Sequence, residues 1–340
     1  MKKNIFALML IGLSPAVHAE FNPPLERITY EPTNRVTLSY RAGFNITGHF
    51  SGMGKIPSAL PGHYSDGYVL QDISGNAGGQ TWNWGYNNAS QVNAVNNTVD
   101  FHNYSNKSLP GSNTADNDSP TSGFELAYDR QIGIKESWHN MAYGIEGAFN
   151  YTPISFNINA TYSGTVNKNT DTYSYTPGTT PPGAPYQGSY GGPGFVINVP
   201  PTSSSSSTAA TMTEHQSYTG NLWGFRLGPY IELPITEKFT FHTSGGLAIG
   251  LLDSSASWQE TITIPGAATY SRQGGGNDFS ALYGFYIGAD ALYQINKKWG
   301  IDVGVQYQDL GTYNHNFGGQ SAIVDLRQTI FVQAGISYSF

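Results

Sequence analysis

From Phe279 onward apolar side chains recur at every second position, through Ala281, Tyr283, Phe285, Ile287, Ala289, Ala291 and Tyr293 to Ile295. Ser280, Gly284, Gly288, Asp290 and Gln294 fall on the other parity. A period of two separates the faces of an extended chain. Asn296, Lys297 and Lys298 supply a turn, after which Trp299, Ile301, Val303, Val305 and Tyr307 alternate with Gly300, Asp302, Gly304 and Gln306. The pattern predicts a β-hairpin whose strands exceed the about 5–6 residues of an average strand. They reach the about 9–11 residues that cross a bilayer. The apolar row is aromatic at its ends and aliphatic or small between them, as in a strand that passes from one membrane interface to the other.

The same alternation recurs along the chain. It predicts strands over 36–46, 123–132, 141–151, 223–233, 239–251 and 329–340 in addition to the hairpin. Pro229 is the misfit, because a barrel strand has no free edge, and it predicts a bulge. The connections alternate long and short, with long polar spans at about 51–122, 159–216, 253–278 and 311–325. The expectation is an all-β fold: a transmembrane antiparallel up-and-down β-barrel of eight strands, with long extracellular loops and short periplasmic turns. A ten-strand alternative would require the alternating stretch from Trp258 to Ile264 to enter lipid.

Charges sort with this register. Arg41, Glu125, Asp129, Glu146, Arg226, Glu232, Asp290, Asp302 and Arg327 all take the inward parity, and Arg130 near a strand end does not. An Arg or Lys at the lipid midplane costs about 2–4 kcal/mol, and a slip of one residue would expose the whole set. Eight strands enclose a lumen just wide enough for side chains. These groups therefore predict a packed charge network, and if a continuous path exists its surplus of acids favours cations.

Composition agrees. Charged residues make up 11% of the chain and aromatic residues 14%, against about 25% charged in an average soluble domain. Mean hydropathy is nevertheless −0.33, because lumen-facing polar residues alternate with lipid-facing ones. The formal charge of −7 disfavours a nucleic-acid partner. Cysteine is absent, which removes disulfides, thiolate metal sites and thiol nucleophiles.

Lys2, Lys3, the apolar run from Ile5 to Leu13, Pro15 and the small residues before Glu20 predict a secretory signal peptide over 1–19. Residues 20–34 are expected to form a short periplasmic stub and residues 35–340 the barrel. Phe340, preceded at even spacing by Tyr338 and Ile336, resembles the C-terminal assembly signal of bacterial outer-membrane barrels. With the signal peptide and the alternating loops, the chain resembles the small outer-membrane β-barrel family that includes the membrane domain of outer membrane protein A and the opacity-type surface proteins. The resemblance implies a bacterial outer-membrane location, recognition by the barrel assembly machinery, and contact with outer-membrane lipid and lipopolysaccharide. The loops are longer than is usual in that family, which makes them the candidates for recognising an extracellular ligand.

Candidates for chemistry are few. Some barrels of this size deacylate lipids with a His-X-Ser pair, and His242-Thr243-Ser244 and His49-Phe50-Ser51 share that spacing. Two-residue spacing alone is a weak signal, and His242 takes the inward parity near the periplasmic end, so a core hydrogen-bonding role is expected. The histidines show no metal-ligand spacing, and no cofactor or metal is expected. Trp82, Trp84 and Tyr86 in the first loop are the recognition candidates, since exposed rings stack on sugars or anchor a partner. The expected function is non-enzymatic: an envelope-structural barrel whose loops serve adhesion or recognition. The alternatives are a narrow cation-favouring porin-like channel and a lipid-modifying enzyme.

Overall fold

The computed structural model describes residues 34–116, 120–138 and 140–340. The expected signal peptide and nearly all of the N-terminal stub lie outside these residues. Eight strands build the wall: β1 (Asn34–Phe44), β2 (Thr121–Lys135), β3 (Met141–Ser174), β4 (Thr202–Pro234), β5 (Phe239–Ile264), β6 (Ala268–Gln294), β7 (Trp299–Asp309) and β8 (Thr329–Ser339). Each pairs antiparallel with its predecessor, and β8 pairs with β1, so the sheet closes without an edge. Leu38 stands opposite both Leu126 and Ile336 across this closure. The β6–β7 hairpin has the expected register, with Ala289 facing Val305 and Ala291 facing Val303.

The parity of the alternation is realised in space. Leu247 is 71% exposed, Ile287 58% and Val303 51%, whereas Glu146 and Asp290 are 4% and 5% exposed. Large apolar groups outside and ionised groups inside make this a bilayer-spanning wall. Two aromatic girdles bound it. Tyr151 and Trp223 meet at 4.5 Å beside Phe149 at the outer rim, and Tyr338 meets both Trp299 and Phe340 at the opposite one. Both described chain ends lie on the side of the short turns, where the Phe340 amide donates to the Asn34 carbonyl at 3.0 Å.

Pro229 does not bulge the wall. It faces Ile145 on β3, and the β4–β5 register is the same on either side of it, with Leu227 opposite Leu247 and Tyr230 opposite Ser244. A Cβ on Gly228 would stand 2.2 Å from the Gly245 carbonyl, so bare backbones meet there and glycine is required. The register shift in the wall falls between Gln131 and Gly133 on β2.

Above the outer girdle the barrel continues as a second storey. β3 to β6 run for 34, 33, 26 and 27 residues, against 11 each for β1, β7 and β8. Over the short strands sits a separate sheet, ordered Thr312–Phe317, Gln320–Asp325, Thr47–Ser51, Ser112–Asp116. That order repeats β7, β8, β1, β2 beneath it, and its outer strands lie beside β6 and β3. The break comes at Asn45, which adopts φ 61, a left-handed conformation that Asn tolerates better than most residues. It turns Ile46 inward to 1% exposure, where the sequence pattern predicts a lipid-facing position.

The spans expected as loops at 159–216 and 253–278 are therefore largely strand, and 311–325 is mostly a hairpin of the upper sheet. In this storey the alternation is inverted without a change of register. On β4, Thr213, His215, Ser217 and Thr219 point out, while Met212, Tyr218 and Leu222 are buried. Water outside requires the polar face outward, and the two sheets bury an apolar core that includes Phe50, Phe156, Tyr218, Leu252, Trp258 and Phe317. Farther out, Thr98–Asn106 of the first loop pairs with β3.

Candidate functional site

The lower lumen gathers the inward charges. Arg226 of β4 donates from Nη2 to Glu125 Oε1 on β2 at 2.5 Å, and its Nη1 lies 3.2 Å from Glu146 Oε1 on β3. Arg41 of β1, fully buried, pairs with the other Glu125 oxygen at 3.0 Å and lies over the Phe331 ring. Arg35, absent from the sequence prediction, closes the periplasmic end of the network. Its Nε and Nη2 donate to Asp129 Oδ2 at 2.9 and 2.6 Å, and its Nη1 to Glu232 Oε1 at 2.5 Å. Asp290 and Asp302 are buried in the same lumen.

Arg327 does not join the network. It precedes β8, its side chain is 61% exposed, and it pairs with Asp325 two residues away. Arg327 lies two residues before β8 begins at Thr329, in a turn where parity carries no meaning.

The first-loop aromatic candidates are mostly interior. Trp84 is fully buried, stacks on Tyr86 at 5.6 Å and donates from Nε1 to the Phe195 carbonyl at 2.6 Å. Tyr86 is 2% exposed and donates to the Pro182 carbonyl. Trp82 alone of the three is half-buried. With Phe101, Tyr173 and Tyr175, Trp84 and Tyr86 form a core that fastens the first loop to the tall wall, so neither ring is presented to a partner.

The His-X-Ser pairs also resolve differently. His242 and Ser244 face the lumen, His242 Nδ1 lying 3.4 Å from Asp290 and Ser244 donating to Glu146 at 3.3 Å. His49 contacts Thr114 Oγ1 at 3.1 Å, and Ser51 contacts Ser321 at 2.8 Å. The absence of metal-ligand spacing in the sequence does not carry over to space. Asp129, Glu146 and His242, from three strands, bring one ligand atom each within 4.8 Å of one another.

A second buried acid site lies in the upper storey, where Glu214 and Glu260 face each other across β4 and β5, each 1% exposed. Glu260 accepts from Arg272 Nη2 at 2.6 Å and from the Gly54 amide at 2.5 Å, and Gln320 donates to Glu214 at 2.9 Å. Burial, reinforced by the Glu260 charge, pushes the Glu214 carboxyl up to about 7, against the opposing pull of the Gln320 hydrogen bond and Arg272. The Gly54 amide hydrogen bond to Glu260 holds the first loop at this pair. Glu260 lies in the alternating stretch from Trp258 to Ile264, which reads as an extension of the fifth strand, but the span 159–216 that holds Glu214 carries no predicted strand, so parity does not join the two.

At the periplasmic mouth a cavity of about 210 Å³ is lined by Arg35, Asp129, Tyr230, Glu232 and Thr240 among others. Above the charge network, Tyr286, Leu282, Leu310 and Leu252 belong to the apolar core that fills the cylinder. Closed ring, apolar girdled exterior and polar lumen together make the chain a β-barrel of the bacterial outer-membrane kind.

No family model and no curated protein matches the chain. Among solved structures the chain is similar to the attachment invasion locus protein Ail of Yersinia pestis, at 10% identity over 90% of this chain and 99% of that one, TM-score 0.28. It is similar to Neisserial surface protein A, at 7% identity over 91% and 97%, TM-score 0.26. It is similar also to the outer membrane protease OmpT of Escherichia coli, at 9% identity over 93% and 99%, TM-score 0.34. Likeness at this level adds nothing to the assignment, which rests on the ring itself.

Proposed function

We propose that the protein is a non-enzymatic outer-membrane barrel that strengthens the envelope and holds a rigid β-structure at the cell surface for adhesion or recognition. The observation that carries this reading is the second storey. Strands of 26–34 residues project far beyond a bilayer, and they enclose an apolar core of their own. A wall built only to span lipid needs no such core, whereas a surface for a partner gains from being rigid before contact. Its outward positions, Ser217, Thr219, Ser255 and Ser257 among them, are rich in hydroxyl groups, suited to hydrogen-bonding a glycan or a polar protein surface.

The exterior of the lower storey is read as meeting outer-membrane lipid, with lipopolysaccharide in the outer leaflet. Ile336 and Phe340, exposed on the lipid side, and Tyr338 between them are read as the signal for the assembly machinery. A cation-favouring channel is the second reading, favoured by the surplus of lumen carboxylates and by the cavity at the mouth. Replacing residues 160–212 by a short turn tests the first. The shortened barrel should still insert and migrate as a heat-modifiable band, while adherence of expressing cells to glycan- or matrix-coated surfaces falls to background. Undiminished adherence would overturn the recognition role.

A further inference from the structure

Asp129, Glu146 and His242 are each held by a neighbour and bring one ligand atom apiece within 4.8 Å of one another. Asp129 Oδ2 accepts from Arg35, while Oδ1 is buried with no hydrogen-bond partner. Glu146 Oε1 accepts from Tyr286 at 3.1 Å and Ser244 at 3.3 Å, and Oε2 lies 3.9 Å from His242 Nε2. His242 Nδ1 faces Asp290 Oδ2, leaving Nε2 buried and unpartnered. Asp290 is itself fixed by Gln333, which donates to its other oxygen at 2.7 Å. Asp129 and His242 are both 4% exposed. Buried polar atoms left unsatisfied are costly and rare, so two of them on residues clustered this tightly with a second carboxylate call for a ligand with positive charge.

We propose that this cluster is a binding site for a divalent transition-metal ion of the zinc type. A histidine that turns one ring nitrogen to a carboxylate and the other to an open point has the arrangement of a metal ligand with its orienting partner. One imidazole with two carboxylates suits zinc and its neighbours, whereas calcium and magnesium take all-oxygen shells. Bonds of about 2.0–2.2 Å set tetrahedral donor separations near 3.4 Å. From separations of up to 4.8 Å, side-chain shifts of about 1 Å bring the three donors to that spacing and leave the fourth position open.

Charge argues the same way. Arg35, Arg41 and Arg226 are outnumbered by the buried acids Glu125, Asp129, Glu146, Glu232, Asp290 and Asp302, and a dication offsets most of that surplus. The entry path is the periplasmic cavity, whose lining includes Asp129 and Tyr230; the Tyr230 ring stands 5.0 Å from that of His242. A bound ion would tie β5 across the lumen to β2 and β3, which do not pair with it, and so stabilise the folded barrel by mass action.

Zinc titration of the refolded, chelator-stripped full-length protein in detergent tests this, read by competition with a chromophoric chelator and by the temperature at which the heat-modifiable band is lost. The expected result is one zinc ion per barrel and a rise in that temperature. His242→Gln and Asp129→Asn should abolish stoichiometric binding, His49→Ala should retain it, and Asp290→Asn, which spares all three ligands, should weaken it by about 10–100-fold. Should the ligand variants fail to fold, X-ray absorption of the zinc-loaded wild type decides, with one nitrogen and oxygen neighbours expected near 2.0 Å. Absence of stoichiometric zinc, binding that survives His242→Gln, or an all-oxygen shell would overturn the proposal.

Discussion

Arg226 of β4 and Glu125 of β2 meet at 2.5 Å across the lumen, although β3 separates their strands in the wall. Glu125 also pairs with Arg41, at 3.0 Å, so one carboxylate bridges two buried guanidinium groups. Removing it strands Arg41 and leaves Arg226 with Glu146 alone. Glu125→Ala should destabilise the barrel by about 3–5 kcal/mol, measured as the urea midpoint of folding into lipid. Arg327→Gln, which breaks an exposed pair, should leave it essentially unchanged.

The lipid-facing register makes a second prediction. Leu247 lies in the middle of the outward apolar row of β5 and is 71% exposed to the bilayer. Leu247→Arg should cost about 2–4 kcal/mol in the same folding assay. Ser255→Arg, on the same face but above the apolar row, should be nearly neutral, and equal effects would place the outer boundary wrongly.

Trp84 is read as a structural core residue and not a recognition handle. Trp84→Ala should destabilise the distal first loop by about 3–5 kcal/mol, as for a buried aromatic, and open it to limited proteolysis while the barrel stays heat-modifiable. If the loop stays resistant and binding to a surface ligand is lost instead, Trp84 acts by exposure after all.

The upper storey should respond to pH through Glu214. Its folded-state pKa, raised from 4.5 to about 7, means the folded form favours the proton. That contribution to stability is fully present below about 4.5 and is lost as pH rises through about 7. Hydrogen exchange around Gly54 and Gln320 should therefore be faster at pH 8 than at pH 5.5, beyond the intrinsic rate change. Glu214→Gln should remove the difference.

Period-two alternation was sufficient to predict the eight strands because lipid and lumen impose opposite demands on successive residues. Of the upper storey the alternation shows only a projection of β3 beyond Pro153 and an extension of β5 from Trp258 to Ile264. Beyond Pro153, Ile154, Phe156 and Ile158 alternate with Ser155, Asn157 and Asn159, but with the apolar set on the inward parity, and the serine run from Ser203 to Ser207 resembles a low-complexity loop although it pairs with Asn167 to Asp171. Ile46 was misplaced because one left-handed residue, Asn45, reverses the face. The charge network was legible from parity, whereas Arg35 lay at the very start of the first strand. The meeting of Asp129, Glu146 and His242 depends on three strands coming round a cylinder, which no local spacing records.

The cylinder is closed twice, by the charge network below and by the apolar core above. Recording from planar bilayers containing the purified full-length protein tests it directly. The predicted result is no steady unitary conductance at any moderate voltage; sustained, cation-selective steps would contradict it.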